Sequence, residues 1–269
     1  MTTEDKNRYL QDTLRTYGTL AVAFSGGVDS CFLLKTAQLV LGERVLALTV
    51  DSVFVPRDEL NETIAFCRDY GIRQILVQVD VLSIPEVVGN PPDRCYHCKR
   101  ALFQRMKEIA HREGFRLLAE GSNTDDDSDY RPGRRAVAEL EILCPLKDAG
   151  LNKAEIRELS RQLGLAGWNK PSQACLASRV PYEEALSEEK LGAIEQAEKL
   201  LHSLGFRQCR VRAHRTLARI EIPPDDFERI LTEGTRNKVS DALINLGFAY
   251  VTLDLVGFRS GSMNEVLKK

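Results

Sequence analysis

The sequence predicts an α/β fold, in which a domain built on a parallel sheet is followed by a smaller α+β domain. Short β-rich runs alternate with helical patterns over residues 20–166. The first of these runs leads into the turn "SGGVDS" at residues 25–30. A second set of elements, in the order α-β-β-α-β, follows residue 182. Nearly continuous apolar strands separated by helices are typical of a parallel sheet that is covered on both faces.

The first domain is predicted to span residues 1–182. Its strand candidates are "LAVAF", "RVLALTV", "RQILVQV", "RLLAEG" and "EILCPL". Its helical stretches include "SCFLLKTAQLV", "RDELNETIAFCRDY" and "YHCKRALFQRMKEIAHRE". Ligands of such sheets bind at the carboxyl ends of the strands, and "SGGVDS" lies at the end of the first strand. This turn is therefore where a ligand is expected.

The second domain is predicted to span residues 183–269. It begins with the helical pattern "SEEKLGAIEQAEKLLHSLGF" and continues with the strands "QCRVRAH" and "LARIEIP". A helical region at 225–246 and the strand "YVTLDLVGF" complete an antiparallel or mixed sheet. The stretch before it, 167–181, lacks periodicity and reads as a long loop, which is usually functional or a linker.

Composition limits the classes of partner. The 37 Lys and Arg residues are balanced by 39 Asp and Glu residues, whereas nucleic-acid binders usually carry a basic excess, so the balance argues against a nucleic-acid partner. Charged residues interrupt every apolar run, and the polar start lacks a signal-peptide pattern, so we expect a cytoplasmic protein without a membrane partner. Seven cysteines, an odd number in such a chain, argue against a disulfide framework.

The turn "SGGVDS" has the chemistry of an anion site. Gly26 and Gly27 can adopt positive φ and leave no Cβ in the way, so backbone N–H groups can surround an anion. The following helix adds unpaired N–H donors, and Ser25 and Ser30 add hydroxyl groups. Asp29 would repel a bare phosphate, so its presence indicates a bridging Mg²⁺. The alternative is a tight turn without a ligand.

"SGGVDS" resembles the pyrophosphate loop (PP-loop) of the N-type ATP pyrophosphatases, which have the adenine nucleotide α-hydrolase-like fold. That superfamily includes NAD and GMP synthetases, asparagine synthetase and tRNA thiolases. The resemblance implies that ATP is cleaved between its α- and β-phosphates and that the substrate is adenylated. It also implies that Asp51 and Ser52 of "TVDS" lie along the adenosine, although a plain strand end is the alternative.

Three cysteines suggest sulfur or metal chemistry. Cys95 and Cys98 of "RCYHCKRALF" lie three residues apart on one helix face, and Cys175 lies in the loop "SQACLASR". Three thiolates could hold a [4Fe-4S] cluster with one iron left open to sulfide. A redox pair, a structural zinc site that includes His97, and Cys175 alone as a sacrificial sulfur donor are the alternatives. The remaining cysteines have apolar neighbours and are predicted core residues: Cys31, Cys67, Cys144 and Cys209.

Several stretches together resemble the LarE family of ATP-dependent sulfur transferases. They are "AFSGGVDS", "DYRPGRRA", "GLAGWNKPSQACLASRVPY", "RVRAH", "ARIEIP" and "GFRSGSMN". The resemblance runs from about residue 20 to the end of the chain. It implies adenylation of the carboxylates of a pyridinium dicarboxylate mononucleotide and their conversion to thiocarboxylates, which mature the nickel-pincer nucleotide of lactate racemase. ATP, Mg²⁺ and a sulfur source such as sulfide would be required, and a homo-oligomer is expected.

The resemblance also implies roles for individual residues. Cys175 and Asp29 would be catalytic. The ATP-binding loop would consist of Ser25, Gly26, Gly27, Asp29 and Ser30. An active-site loop after the fourth strand would present Asp129, Tyr130 and Arg131. The substrate phosphate would be bound by Arg210, Arg212 and Arg259, with Glu221 orienting them. Guanidinium groups suit phosphate, and strand alternation places Arg210 and Arg212 on one face.

The sulfur chemistry and the substrate have alternatives. One form of the family uses a single sacrificial cysteine, but the added Cys95 and Cys98 favour a cluster on Cys95, Cys98 and Cys175. A tRNA 2-thiolation enzyme could share the loop and the cluster. A synthetase of the NAD or GMP type would keep the loop and use ammonia. A carrier of nucleotide or iron–sulfur groups without catalysis is the remaining alternative.

Overall fold

The computed structural model describes residues 1–128, 132–171, 174–259 and 261–268. The chain divides into two units, and each unit consists of two separate segments of the sequence. The first unit comprises residues 1–80 and 93–173, and the second comprises residues 81–92 and 174–269. The predicted boundary between residues 182 and 183 stays a prediction. No helix among the described residues is both long and apolar enough to cross a membrane.

A four-stranded parallel sheet lies at the centre of the first unit. Its strands are β1 (Leu20–Ala23), β2 (Val45–Asp51), β3 (Arg73–Gln78) and β4 (Leu118–Ala119). Their order across the sheet is β3-β2-β1-β4, and every pair is parallel. The predicted α/β architecture with a parallel sheet is confirmed.

Helices connect these strands and continue into the second unit. In chain order they are α1 (Thr3–Tyr17), α2 (Val28–Leu41), α3 (Arg57–Asp69), α4 (Pro85–Val88), α5 (Arg94–Arg112), α6 (Gly133–Glu139), α7 (Pro145–Asp148), α8 (Lys153–Gln162), α9 (Glu188–Ser203), α10 (Phe227–Leu231) and α11 (Glu233–Asn245). Helix α4 belongs to the second unit, while α5 to α8 return to the first.

The sheet of the first unit is covered on both faces. Because successive side chains of a strand alternate, Leu20 and Val22 lie in one buried cluster, which also contains Phe32 of α2. Ala21 lies in the opposite cluster, together with Phe103 of α5. Two apolar layers therefore hold β1 rigidly, and with it the turn that follows.

The segment "EILCPL" is not a strand, which corrects the sequence-based prediction. Only Leu143 pairs with the sheet, through an isolated parallel bridge to Ala119. Glu141 has a φ of 52° in the preceding turn, and Pro145 begins helix α7. A left-handed turn on one side and a helix that starts at a proline on the other leave no room for an extended run.

The second unit contains a three-stranded mixed sheet. Its strands are β5 (Arg210–His214), β6 (Leu217–Glu221) and β7 (Tyr250–Leu253). β5 and β6 are antiparallel, whereas β6 and β7 are parallel because α10 and α11 intervene. The register pairs Arg212 with Arg219 and Arg210 with Glu221. The predicted α-β-β-α-β order and the mixed sheet are therefore found.

The segment 81–92 contributes a buried asparagine to the second unit. Asn90 is completely buried and has a φ of 57°, a conformation that asparagine tolerates better than most residues. Its amide nitrogen donates to the carbonyl oxygens of Val180 and Pro181, at 3.2 and 2.7 Å. Its own carbonyl accepts from the backbone N–H of Glu183 at 2.9 Å. This residue therefore joins the segment to the loop that follows Cys175.

Candidate functional site

The turn between β1 and α2 has a shape that requires glycine. Gly26 has a φ of 75°, in the left-handed region. A Cβ at this position would lie only 2.9 Å from Cγ2 of Thr63, a residue of α3 that is 1% exposed. Backbone strain and lack of space therefore both exclude a side chain at Gly26.

The helix that leaves this turn presents unpaired donors. Gly27 is the N-cap of α2 and provides no side-chain cap, so the N–H groups of the first helical turn remain available to an anion. The hydroxyl oxygens of Ser25 and Ser30 lie 3.2 Å apart, and Ser30 donates to the carbonyl of Gly27 at 3.0 Å. Loop, hydroxyl groups and helix dipole together form a site for a polyanion.

A second glycine, which was not singled out from the sequence, borders this turn. Gly121 follows β4, and a Cβ there would lie 3.0 Å from the backbone nitrogen of Ser30 and 3.2 Å from its Cα. The chain after β4 therefore passes directly against the start of α2. A glycine as the last residue of a predicted strand, "RLLAEG", was the available signal.

Asp29 has one paired and one unpaired carboxylate oxygen. Its Oδ2 accepts a hydrogen bond from Nζ of Lys153 at 2.7 Å. Its Oδ1 is buried and has no hydrogen-bond partner among the described residues. Burial raises the pKa of Asp29, and the ammonium of Lys153 opposes that shift. An oriented carboxylate oxygen without a partner fits the oxygen ligand that Mg²⁺ requires.

Lys153 was also not singled out from the sequence. It is the first residue of α8, directly after the N-cap Asn152, whose side chain accepts from the N–H of Glu155 at 2.9 Å. A cation at a helix N-terminus opposes the helix dipole, so its position is unfavourable for the helix alone. That misfit was a usable signal, and the Asp29 carboxylate provides its explanation.

Asp51 and Ser52, at the end of β2, both form hydrogen bonds with Arg57. Arg57 Nη1 lies 2.5 Å from Asp51 Oδ1, and its Nη2 donates to the Ser52 carbonyl at 2.5 Å. The Ser52 hydroxyl is buried and accepts from the N–H of Phe54 at 3.3 Å. Their predicted place along the adenosine stays a prediction.

Cys95 and Cys98 lie in the first two turns of α5 and are both partly buried. Arg94 Nη2 lies 3.7 Å from the Cys95 sulfur. A Cβ on Gly133 would lie 3.3 Å from the Cys95 carbonyl and 2.6 Å from Cδ of Lys99. Helix α6 therefore packs closely against the turn that carries Cys95.

The cluster ligands and the active-site loop are only partly described by the structure. Within each unit, the described residues include no group of three or more His, Cys, Asp and Glu side chains that could hold a metal ion. The cluster on Cys95, Cys98 and Cys175 stays a prediction. The predicted active-site residues lie outside the described part of the chain: Asp129, Tyr130 and Arg131.

In the second unit, Cys175 precedes a 3₁₀ turn, Leu176–Arg179. The Cys175 residue is exposed. Its carbonyl oxygen accepts from the backbone N–H of Ser178 at 3.0 Å and from the Ser178 hydroxyl at 2.8 Å. The backbone of this cysteine is thus held in place while its thiol is accessible to reagents.

The guanidinium of Arg212 has several partners in the second unit. It forms a two-pronged ion pair with Glu221, with N–O distances of 3.1 and 2.9 Å. It also donates to the carbonyl of Ser178 at 2.8 Å and to the hydroxyl of Ser262 at 2.9 Å. Glu221 is completely buried and accepts a further bond from Arg219 at 3.1 Å. The orienting role of Glu221 toward a substrate phosphate site stays a prediction.

The other two predicted phosphate ligands differ in exposure. Arg210 is buried and donates to the carbonyl of Cys209 at 2.6 Å, and burial lowers its pKa. Arg259 is partly exposed, and its hydrogen bond to Glu265 raises its pKa. Their binding of a substrate phosphate stays a prediction.

Comparison with known proteins gives two levels of similarity. Residues 2–93 match the NAD synthase family. The pyridinium-3,5-bisthiocarboxylic acid mononucleotide synthase of Lactiplantibacillus plantarum is 37% identical over 265 residues, which cover 98% of this chain and 95% of that protein. An uncharacterised protein of Synechocystis is 40% identical over 92% of both chains. One chain of the glutamine-hydrolysing GMP synthase of Methanococcus vannielii is 26% identical, over 54% of this chain and 49% of that protein.

Proposed function

Because the chain belongs to the LarE family, which includes the pyridinium-3,5-bisthiocarboxylic acid mononucleotide synthase of L. plantarum, we propose that it is an ATP-dependent sulfur transferase. Its substrate would be pyridinium-3,5-biscarboxylic acid mononucleotide, whose carboxylates become thiocarboxylates on the way to the nickel-pincer nucleotide of lactate racemase. The observation that carries this proposal is that the similarity extends over both units, whereas the similarity to GMP synthase covers about half of the chain.

In the first step, a substrate carboxylate oxygen attacks the α-phosphorus of ATP. A new P–O bond forms, the bond to the β-phosphate breaks, and pyrophosphate leaves. The N–H groups at the start of α2 and the ammonium of Lys153 would stabilise the charge on the leaving group. Mg²⁺, bound through Asp29, would supply further charge neutralisation and orientation of the phosphates.

In the second step, a sulfur nucleophile attacks the carbon of the acyl adenylate. A C–S bond forms, the C–O bond to AMP breaks, and AMP leaves with the bridging oxygen. The exposed thiol of Cys175 supports a role at this step, since it lies on a backbone that is held by hydrogen bonds. Exposure matters because the sulfur must reach a bound nucleotide.

For the sulfur source, we propose an iron–sulfur cluster held by Cys95, Cys98 and Cys175. When bound, such a cluster would supply sulfide at an iron that has no protein ligand. Two observations support this ligand set: Cys95 and Cys98 share a helix face beside Arg94, and Cys175 is exposed.

In the sacrificial alternative, Cys175 itself provides the sulfur. Its thiolate would displace AMP from the acyl adenylate to give a thioester. Loss of the Cα proton would then break the Cβ–S bond, releasing the thiocarboxylate and leaving dehydroalanine at position 175. This route has no use for Cys95 and Cys98.

The function is tested by incubating the anaerobically purified protein with ATP, Mg²⁺, sulfide and the pyridinium dicarboxylate mononucleotide. Mass spectrometry should detect the thiocarboxylate product, and one AMP should be released for each carboxylate that is converted. Because residues 2–93 match the NAD synthase family, the same reaction is run with ammonia in competition with sulfide. An amide product with ammonia and no product with sulfide would refute sulfur transfer. With tRNA added to the same mixture, thiolated tRNA formed in preference to the mononucleotide product would refute the proposed substrate.

The sulfur source is tested by iron and sulfide analysis of the wild type and a Cys95→Ser/Cys98→Ser variant after anaerobic reconstitution. We expect roughly four irons per wild-type chain and visible absorbance, both lost in the variant. Multiple turnovers in the wild type should accompany the cluster. A colourless wild type that stops after one turnover, with dehydroalanine at position 175 in the peptide map, would refute the cluster.

A cytoplasmic location and a homo-oligomeric state complete the proposal. Light scattering at a series of protein concentrations would test the oligomer, and a mass of about 30.2 kDa throughout would refute it.

A further inference from the structure

We propose that Arg179 and Glu198 act as a buried clamp that positions Cys175, an inference that rests on the proposed sulfur transfer. Neither residue was assigned a role from the sequence. Arg179 has an exposure of 0%, and Glu198, on helix α9, has an exposure of 6%. Arginine is almost never fully buried unless it is paired, so the burial of Arg179 requires specific partners for its charge.

The side chains of Arg179 and Glu198 form a bidentate ion pair. Arg179 Nε lies 3.0 Å from Glu198 Oε1, and Arg179 Nη2 lies 2.9 Å from Oε2. Glu198 Oε1 also accepts from the backbone N–H of Val211, in β5, at 3.0 Å. The carboxylate is thus anchored to a helix and to a strand, and it fixes the plane of the guanidinium group.

The remaining nitrogen of the guanidinium group, Nη1, contacts the segment 174–178, which contains Cys175 and is called the cysteine segment below. Arg179 Nη1 donates to the carbonyl oxygens of Ala174 and Cys175, the latter at 3.1 Å, and lies 3.2 Å from the Ser178 hydroxyl. The carbonyl of Cys175 therefore accepts from Ser178 and from Arg179 together. The two peptide planes that flank the Cα of Cys175 are both fixed by a charged donor.

The rest of the loop is held from other sides. Arg212 donates to the Ser178 carbonyl at 2.8 Å, and Asn90 donates to the carbonyls of Val180 and Pro181. Buried or nearly buried side chains thus hold the backbone from Ala174 to Pro181, while the Cys175 residue itself is exposed. The clamp would hold the Cys175 backbone in one conformation and reduce the entropy lost when its sulfur reacts with an acyl adenylate.

The complete burial of Arg179 also excludes direct contact with a substrate. With no exposed surface, its guanidinium group cannot touch a substrate, so it is a positioning residue rather than a catalytic one. A buried ion pair is often no more stabilising than an apolar pair of similar size. Its geometric hold on the two carbonyls is what an apolar pair could not provide.

The test compares Arg179→Lys with the wild type. Lysine keeps the charge and can pair with Glu198, but a single ammonium cannot hold that carboxylate and both carbonyls at once. Arg229→Lys is the matched control, because Arg229 pairs with Asp226 in the same unit, away from the cysteine segment. Hydrogen exchange of the Ser178 amide, whose acceptor is the Cys175 carbonyl, reports directly on the clamp.

We expect exchange at Ser178 to accelerate by at least about tenfold in Arg179→Lys, since hydrogen bonds to a charged donor are lost. Exchange in helix α11 should not change. Sulfur transfer should show kcat lowered by at least about tenfold, with KM for ATP and for the mononucleotide unchanged. If Arg179→Lys fails to fold, Glu198→Gln, which keeps the side-chain shape, replaces it in every measurement.

Two results would overturn the proposal: a folded variant whose Ser178 amide exchanges as slowly as in the wild type, or one in which exchange accelerates while kcat is unchanged. If the wild type forms no thiocarboxylate, the proposed function fails separately. The clamp is then judged from hydrogen exchange together with the alkylation rate of Cys175 by iodoacetamide. Equal alkylation rates in variant and wild type would overturn it, and a changed rate would support it.

Discussion

Replacing Gly26 with alanine should destabilise the first unit by two separable effects. The first is backbone strain, because Gly26 has a φ of 75°. The left-handed conformation costs an L-residue roughly 1–2 kcal/mol. Gly71, which follows helix α3, provides a matched reference for this effect alone, since it has a φ of 63° and a Cβ there would have no neighbour within 4 Å.

The second effect is a clash with Thr63. The new Cβ would lie 2.9 Å from Cγ2 of Thr63, and that side chain cannot easily rotate. Its hydroxyl donates to the carbonyl of Leu60 at 2.7 Å and accepts from Gln74 at 3.1 Å. Overpacking of this kind costs about 1–3 kcal/mol. We therefore expect a total loss of about 2–5 kcal/mol for Gly26→Ala, a large part of the roughly 5–15 kcal/mol of a typical domain.

Urea unfolding followed by tryptophan fluorescence is a suitable assay, because the single tryptophan, Trp168, lies in the same unit as the turn. Gly71→Ala should lose only the strain contribution. Adding Thr63→Ser to Gly26→Ala removes the methyl group and keeps the hydroxyl, so it should restore about 1–3 kcal/mol. Equal midpoints for Gly26→Ala and Gly71→Ala, with no recovery by Thr63→Ser, would refute the reasoning.

Three further predictions concern the same unit and the cysteines. Lys153→Met should lower ATP turnover by about tenfold or more and stability by about 1–3 kcal/mol, because Asp29 loses its charged partner, and an exposed control, Lys238→Met, should change neither. Asn152→Ala should lower stability by about 1 kcal/mol in urea unfolding, because it removes the cap of α8. At pH 8, iodoacetamide should modify Cys175 within minutes and leave four thiols intact, as a peptide map would show. Burial raises the pKa of each of these four to about 12, so they stay protonated: Cys31, Cys67, Cys144 and Cys209.

The parts of the fold that depend on local chemistry could be predicted from the sequence. The strand, glycine turn and helix at residues 20–41 follow from an apolar run, a glycine at a left-handed position and an apolar helical stretch that is buried on most sides. The strand predicted in "EILCPL" was wrong, because composition alone does not reveal the turn at Glu141 or the helix that starts at Pro145.

Contacts between distant residues could not be predicted in the same way. Lys153 meets Asp29 across 124 positions of the chain, and no periodicity within either helix indicates that pairing. Arg179 is a different case, because an arginine is assigned to the surface by default. Only the positions of α9 and β5 place Glu198 where it can accept the guanidinium group.

The interleaved order of the two units has a consequence for synthesis on the ribosome. Asn90 and its hydrogen-bond acceptor Val180 are 90 positions apart. At typical translation speeds this interval corresponds to roughly 5–20 s. During that time the nascent segment 81–92 has emerged without the later residues that complete its unit. We therefore expect chaperones to bind the segment 81–92 before its unit is complete. Ribosome-bound chains stalled shortly before residue 174 should form crosslinks between this segment and a chaperone.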